Sequence, residues 1–392
     1  MDATELRELL SLEGLRLLDS LPAWESTGDV VRIVSDLRRA GHSPGLVAAV
    51  VSQAKLRARA STKFGPFAAS MLFTEAGLEQ ATRLQVAALH AGRFRDAGLS
   101  HIADLGCGIG ADALAIASLD LAVTAVELDE VTAAVAAFNL SPWPAATVRN
   151  EDATTVDLDP FDGVYLDPAR RNARSRRVDP ADFTPSLDYA FGVGRERATG
   201  VKLGPGIDRD LIPADTEAQW ISVDREVVEL GVWFGAVARP GVGRAALVIG
   251  DHGSAELTAA TDSDDADLGP LGEFLYEPDG AVIRARLIGD FARQTGGWML
   301  DDQIAWVSSD TASATAFAQG FRVTETLPMD ERKLKSALAA RSIGTLEIKK
   351  RGVDVDPALL RKKLALKGDR SATLILTRVA GKRTAILAER LS

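Results

Sequence analysis

Three glycines and a set of strand-end carboxylates hold the chemistry that can be read from this chain. Asp104-Leu105-Gly106-Cys107-Gly108-Ile109-Gly110 follows a short apolar run and leads into an alanine-rich helical pattern, so it reads as a strand, a tight turn and a helix. Gly106, Gly108 and Gly110, at alternate positions, let the backbone pass a ligand more closely than any β-carbon allows. The helix that follows points its first amides at the same place. Glu127 ends the next strand, 21 residues after Gly106, where a carboxylate can accept from both hydroxyls of a ribose. Asp152 follows the third strand and is placed to accept from an adenine amine. Ligands of an open parallel sheet bind outside the carboxyl ends of its strands, so Asp104, Glu127 and Asp152 converge on one crevice.

Glycines alone suit both a nicotinamide dinucleotide and S-adenosylmethionine. Asp104 separates them, because it lies where it can hold the charged amino group of a methionine moiety and where an anionic pyrophosphate would be repelled. Gln80, on a helical segment just before the first strand, can fold back over the same ligand. After the fourth strand, Asp167-Pro168 is followed by Arg170, Arg171, Arg174, Arg176 and Arg177, five arginines in eight residues and a match for phosphates. Cys107 is the only cysteine. Its place inside the turn argues against a covalent cysteine mechanism and leaves no partner for an intramolecular disulfide. The four histidines show no ligand spacing, so no metal is expected.

A chain of 392 residues exceeds one usual core, and 46% hydrophobic with 26% charged residues describes a globular protein. No membrane partner is expected, since no stretch has the apolar length to span a bilayer, and the reading is cytoplasmic. The net charge of −10 conceals an asymmetry: residues 331–392 hold 16 Lys and Arg against 6 Asp and Glu, while the preceding 330 sum to −20. A basic end on an acidic body is a candidate polyanion-binding face. Lys349-Lys350-Arg351 and Arg361-Lys362-Lys363 could extend the arginine track there.

The periodicities imply four divisions: a helical region at 1–95, an α/β domain at 96–252, an acidic linker at 253–272 and an α+β domain at 273–392. In the first, one helix is expected from Thr74 to about His90, with Glu79, Gln80 and Thr82 within reach of the ligand. In the last, Val282 to Leu287 reads as a strand.

With these residues in place, the chain resembles the class I S-adenosylmethionine-dependent methyltransferases over about Thr74 to Asp251. Gly77-Leu78-Glu79-Gln80-Ala81-Thr82, Tyr165-Leu166-Asp167-Pro168-Ala169-Arg170-Arg171, Lys202-Leu203-Gly204-Pro205-Gly206 and Tyr276-Glu277-Pro278 look more narrowly like a bacterial family with a C-terminal THUMP-like domain. The resemblance implies a Rossmann-like α/β fold with a seven-stranded sheet, S-adenosylmethionine as cofactor, and RNA as partner. It also implies catalytic roles for Asp167 and Pro168. Amino-methyltransferases place an Asp/Asn-Pro-Pro-aromatic motif there, whose acid and first proline carbonyl accept from an exocyclic amine. Ala169 and Arg170 replace the second proline and the aromatic, and an arginine plane can stack on a base in its stead.

The expectation is a methyltransferase acting on a base nitrogen of structured RNA, tRNA or rRNA. The alternatives are a small-molecule methyltransferase, an RNA-binding protein without turnover, and a nicotinamide-dependent oxidoreductase, which Asp104 disfavours. Changing Arg174, Arg176 and Arg177 together to Ala is expected to weaken RNA binding in a filter assay at moderate salt; unchanged affinity would sink the phosphate-binding role.

Overall fold

The computed structural model describes residues 1–21, 27–170, 182–251 and 253–391. It divides into two compact units, one of Met1–Leu203, Ile207–Pro213 and Val232–Ala238, the other of Gly204–Gly206, Ala214–Gly231 and Arg239–Ser392. The helical region and the cofactor-type strands share one unit.

The first unit opens on α1 (Ala3–Leu9), α2 (Leu12–Ser20), α3 (Thr27–Arg39) and α4 (Pro44–Phe64). Their starts are written in the sequence. Asp2 and Glu5 form a reciprocal capping box, Ser11 and Ser43 cap their helices, and Pro44 at the first position of α4 forfeits only an amide that had no helical partner. Leu6, Leu9, Leu18, Leu46, Val50 and Phe64 supply the buried stripe.

The single helix expected from Thr74 is two, α5 (Glu75–Gln80) and α6 (Leu84–Asp96), with an elbow between them. Lys63 caps the carbonyls left open at that break. Its Nζ donates to the carbonyls of Leu78, Glu79 and Ala81 at 2.8, 2.7 and 2.9 Å, taking acceptors that a continuing helix would use.

Next come β1 (His101–Leu105), α7 (Ala111–Ala117), β2 (Ala122–Glu127), α8 (Glu130–Leu140), β3 (Ala146–Asn150), β4 (Gly163–Leu166), β5 (Ala169–Arg170), β6 (Phe183–Thr184), α9 (Leu187–Glu196) and β7 (Ala198–Leu203). All neighbours in the order β3-β2-β1-β4-β7 are parallel, with Leu105 opposite Val126 on one side and Leu166 on the other. The chain leaves β1 toward β2 and returns on its other side as β4, so the crevice forms at that switch point.

Two buried carboxamides dock the segment that precedes α5. Asn139 of α8 accepts from the Leu72 amide at 2.8 Å and donates to the Leu72 and Ile109 carbonyls at 3.0 and 2.9 Å. Gln53 of α4 bonds both backbone groups of Phe73, at 3.0 and 2.6 Å.

In the second unit, β8 (Glu217–Val223) turns through Asp224 and Arg225, both at positive φ, into β9 (Glu226–Phe234). The last three residues of β9 count with the first unit. β10 (Arg244–Gly250) runs parallel to β8, and β11 (Gly253–Ala259) pairs antiparallel with β10. The sheet therefore has nine strands in place of the seven expected. β11 escapes the sequence reading because Gly-Ser-Ala-Glu-Leu-Thr-Ala is a polar edge strand without an apolar run.

It also takes up much of the stretch expected as an acidic linker. The remainder is tied down through its backbone: Ser263 bonds Arg286 and Gly289, and Asp267 and Gly269 exchange bonds with Met299. The acids stay at the surface while their peptide groups find partners.

The rest of the unit is β12 (Phe274–Pro278), α10 (Gly280–Arg284), α11 (Ile288–Gln294), β13 (Trp298–Asp301), β14 (Ile304–Ser309), β15 (Ala318–Leu327), α12 (Glu331–Ala340), β16 (Ile343–Lys350), α13 (Pro357–Leu364), β17 (Arg370–Val379) and β18 (Lys382–Arg390). A seven-stranded sheet runs β13-β14-β12-β15-β18-β17-β16. The strand expected from Val282 is helix α10 instead. Asp279, buried and bonded to Ser222, caps the Ala281 amide at 2.9 Å and starts a helix that β-branched content alone did not suggest.

Replacing Asn139 by Leu keeps the volume but strands the Leu72 and Ile109 backbone groups. Urea unfolding is expected to show a loss of about 2–4 kcal/mol; a loss under 1 kcal/mol would mean that the docked segment is not held by this amide.

Candidate functional site

The turn after β1 has the backbone that its glycines anticipate. Gly106, Gly108 and Gly110 sit at φ +86°, +54° and +86°, the left-handed region where a side chain is strained. A β-carbon on Gly106 would lie 3.2 Å from the Asp167 carbonyl, so the turn passes directly beside the end of β4. One on Gly108 would meet nothing within 4 Å, which leaves that face of the turn open. Glu127 closes the turn from β2, accepting from the amides of Gly108 at 3.0 Å and Asp129 at 2.9 Å. Burial, with the charges of Asp104 and Glu127, pushes the Cys107 thiol well above its usual range, so it is a packed thiol and no thiolate nucleophile.

Asp104, next to the end of β1, is almost fully buried, and among the described residues no side chain hydrogen-bonds either of its carboxylate oxygens. Burial pushes its carboxyl well above the ordinary value, and the charges of Asp112 and Asp167 push it further, against Lys202 and the Ala113 amide. Such a group is costly unless a cation arrives.

Around it lies a network that sequence reasoning missed. Asp112, on α7, accepts from Thr82 Oγ1 at 2.7 Å and pairs with His90 Nδ1 at 2.9 Å. Burial opposes its ionisation, yet the bonds and charge of His90, with Lys202 and Thr82, hold its carboxyl below the ordinary value. Tyr165 of β4 reaches the same His90 nitrogen at 2.9 Å. Lys202, at the end of β7, donates to Thr82 Oγ1 at 3.0 Å and to Asp167 Oδ2 at 2.5 Å. No motif links these residues in sequence, since they come from four separate elements and an elbow that a continuous helix would not have contained. The Lys202-Leu203-Gly204-Pro205-Gly206 motif was the one available signal.

The structure brings Asp104, Gly106, Gly108, Gly110, Glu127 and Asp167 together and buries Pro168 beside them. Asp152 stands at the exposed end of β3, where it caps a turn through the Thr154 amide and hydroxyl, both at 2.8 Å. Gln80 keeps its side chain exposed and offers its carbonyl to Lys202 at 3.4 Å. Thr82 alone of the expected elbow residues is buried in the network. Arg171, Arg174, Arg176, Arg177 and the side chain of Arg170 lie outside the described residues.

The basic track expected on the second unit is partly consumed internally. Lys349 pairs with Glu277 at 2.6 Å, and Arg351 lies 3.8 Å from the same carboxylate and donates to the Ala305 carbonyl. The glutamate of Tyr276-Glu277-Pro278 thus neutralises two of the three cations of that run. Lys350, Lys362 and Lys367 remain exposed.

The donor set fits S-adenosylmethionine: an orphaned, buried carboxylate for an ammonium, an open glycine face, and an acid at each of the next two strand ends. Known proteins agree. A family model described as THUMP domain-like matches residues 318–390, and one described as a domain of unknown function matches residues 2–60. Proteins described as uncharacterised S-adenosylmethionine-dependent methyltransferases, from two strains of Mycobacterium tuberculosis, are 34% identical over 340 residues. The alignment covers 84% of this chain and 92% of theirs. A crystal structure of a candidate methyltransferase from Porphyromonas gingivalis W83 superposes with a TM-score of 0.72 at 20% identity, over 94% of this chain and all of that one.

Asp104 generates a pH-dependent expectation. Its folded pKa is raised, so the stability associated with its proton is fully present below about pH 4 and is lost as pH rises through the folded value. Asp104→Asn removes that loss. The melting temperature of the variant minus that of the wild type, both without ligand, should widen from pH 4 upward, by roughly 2–4 °C for each kcal/mol, and then level off. A difference independent of pH would show that Asp104 bears no such strain.

Proposed function

The chain belongs to the S-adenosylmethionine-dependent methyltransferases, and from that premise we propose that it methylates a base nitrogen of structured RNA, tRNA or rRNA. The observation that carries the reading is the approach of Asp167 to the glycine turn: its carbonyl lies 3.2 Å from where a Gly106 β-carbon would stand. An acceptor bound by the Asp167 carboxylate and the Pro168 carbonyl is then next to a cofactor bound at the turn. Bound S-adenosylmethionine supplies an electrophilic methyl group; the protein's part is to align it with the acceptor.

In this reading Asp104 takes the amino group of the cofactor, and Gly106, Gly108 and Gly110 let the chain pass close to it. Glu127 accepts from the ribose and Asp152 from the adenine amine, while Gln80 lies at the rim. Asp167 and the Pro168 carbonyl accept hydrogens of an exocyclic amine and so aim its lone pair at the methyl group. Arg170, Arg171, Arg174, Arg176 and Arg177 hold phosphates. The THUMP domain-like match and the net +10 of residues 331–392 support a polyanionic partner. Among the described residues no helix is long and apolar enough to cross a membrane. The cytoplasm is the compartment that suits an RNA substrate.

The test is incubation of the full chain with methyl-labelled S-adenosylmethionine and total RNA, and separately with a metabolite extract. Label is expected in N-methylated nucleosides; label confined to small molecules, or cofactor binding with no transfer to either, would overturn the RNA methyltransferase reading. In the same assay Asp167→Ala should slow transfer about 100-fold through misplacement of the acceptor. By calorimetry, Asp104→Asn should weaken S-adenosylmethionine binding at least tenfold, a loss of about 1.4 kcal/mol.

A further inference from the structure

We propose that Lys202 is a positioning residue that keeps Asp167 ionised and in one orientation, so that the acceptor site offers a hydrogen-bond acceptor to an N–H donor. The inference rests on the reading of Asp167 as the acceptor-binding group.

Lys202 leaves the end of β7 and is held from three directions. Its ammonium donates to Asp167 Oδ2 at 2.5 Å, to Thr82 Oγ1 at 3.0 Å and to the Gln80 carbonyl at 3.4 Å. The Thr82 hydroxyl accepts from Lys202 and donates onward to Asp112, which fixes its rotation. Asp112 is in turn anchored to His90. The Lys202 side chain is 12% exposed and that of Asp167 31%, so the lysine is set deeper than the carboxylate it holds.

Charge explains why a cation is needed there. The charges of Asp112, at the start of α7, and Asp167, after β4, act on Asp104 of β1, and Lys202 offsets them there. Carboxylates that share a site drive one another toward protonation, whereas an ammonium in contact holds its partner ionised. An ionised carboxylate only accepts; a protonated one presents an O–H that would compete for the lone pair of the acceptor. Lys63 of α4 and Arg83 of the elbow add positive charge on the same side: burial, then Arg83 and Lys202, bring Lys63 down to about 8.

The experiment uses the full chain labelled with 13C at aspartate Cγ, with Asp167→Asn to assign the Asp167 resonance. In Lys202→Met the Asp167 titration midpoint should move up by about one pH unit or more, and in Lys202→Arg it should stay near the wild-type value. S-adenosylmethionine affinity should change less than threefold in Lys202→Arg. With total RNA as probe, kcat should fall at least tenfold in Lys202→Met with its acidic limb moved to higher pH, and Lys202→Arg should recover most of it. An unmoved Asp167 midpoint in Lys202→Met overturns the proposal whether or not RNA is the substrate. Absence of label transfer by the wild type overturns the RNA reading and leaves the titration to decide the role of Lys202. If Lys202→Met does not fold, Lys202→Gln gives the same titration, and an Asp167 midpoint within 0.3 units of wild type (roughly the limit of a pKa comparison) overturns the proposal.

Discussion

A carboxylate buried without a partner sets the terms for the first unit. Asp104 sits near the end of the central strand β1, its oxygens bonded by no side chain among the described residues, and the charges of two more acids act on it. Burial of a lone ionised group costs several kcal/mol, and a site of this kind persists only where the surrounding structure is rigid enough to hold it. That rigidity is visible around the turn. Gly106 passes against the β4 end, Glu127 ties the Gly108 amide to β2, and Asn139 fixes Leu72 and Ile109 through three hydrogen bonds. The strain resides at the place where a cationic ligand would relieve it, which is how binding energy is reserved for the ligand.

The surrounding charges are arranged by depth. Asp112 is paired with His90 and Thr82 and is held ionised despite its burial. Asp167 is paired with Lys202 nearer the surface. Asp104, between them, has no such partner. Three acids of the same type thus acquire three different environments, set by which polar groups α6, β7 and the elbow before α6 deliver to each. The elbow matters most here: Lys63 caps the Leu78, Glu79 and Ala81 carbonyls left open at the bend, where Thr82 is buried.

In the second unit, charge in a linear stretch proves a poor guide to what faces solvent. Lys349 and Arg351 belong to a run that reads as a basic surface, yet both turn to Glu277 on β12, and Arg341 forks onto Glu325. Exposed cations remain on α12, α13 and β18, at the end of β16 and at the start of β17.

Local signals were enough for the strand–turn–helix at Asp104 to Ala117 and for the parallel alternation through β4: glycines that need positive φ, and period-two and period-3.6 apolar patterns. The sequence by itself also placed four acids at strand ends, since a parallel sheet brings those ends to one edge whatever its details. Only the tertiary structure decided what those acids meet. His90, Thr82, Tyr165 and Lys202 are between 20 and 120 positions from their partners, and no periodicity encodes such a meeting. The same holds for β11 and for Glu277, whose roles depend on a neighbouring strand's edge and on cations 72 and 74 residues away. Local backbone preference is written along the chain, but the partner of a buried charge is chosen by packing.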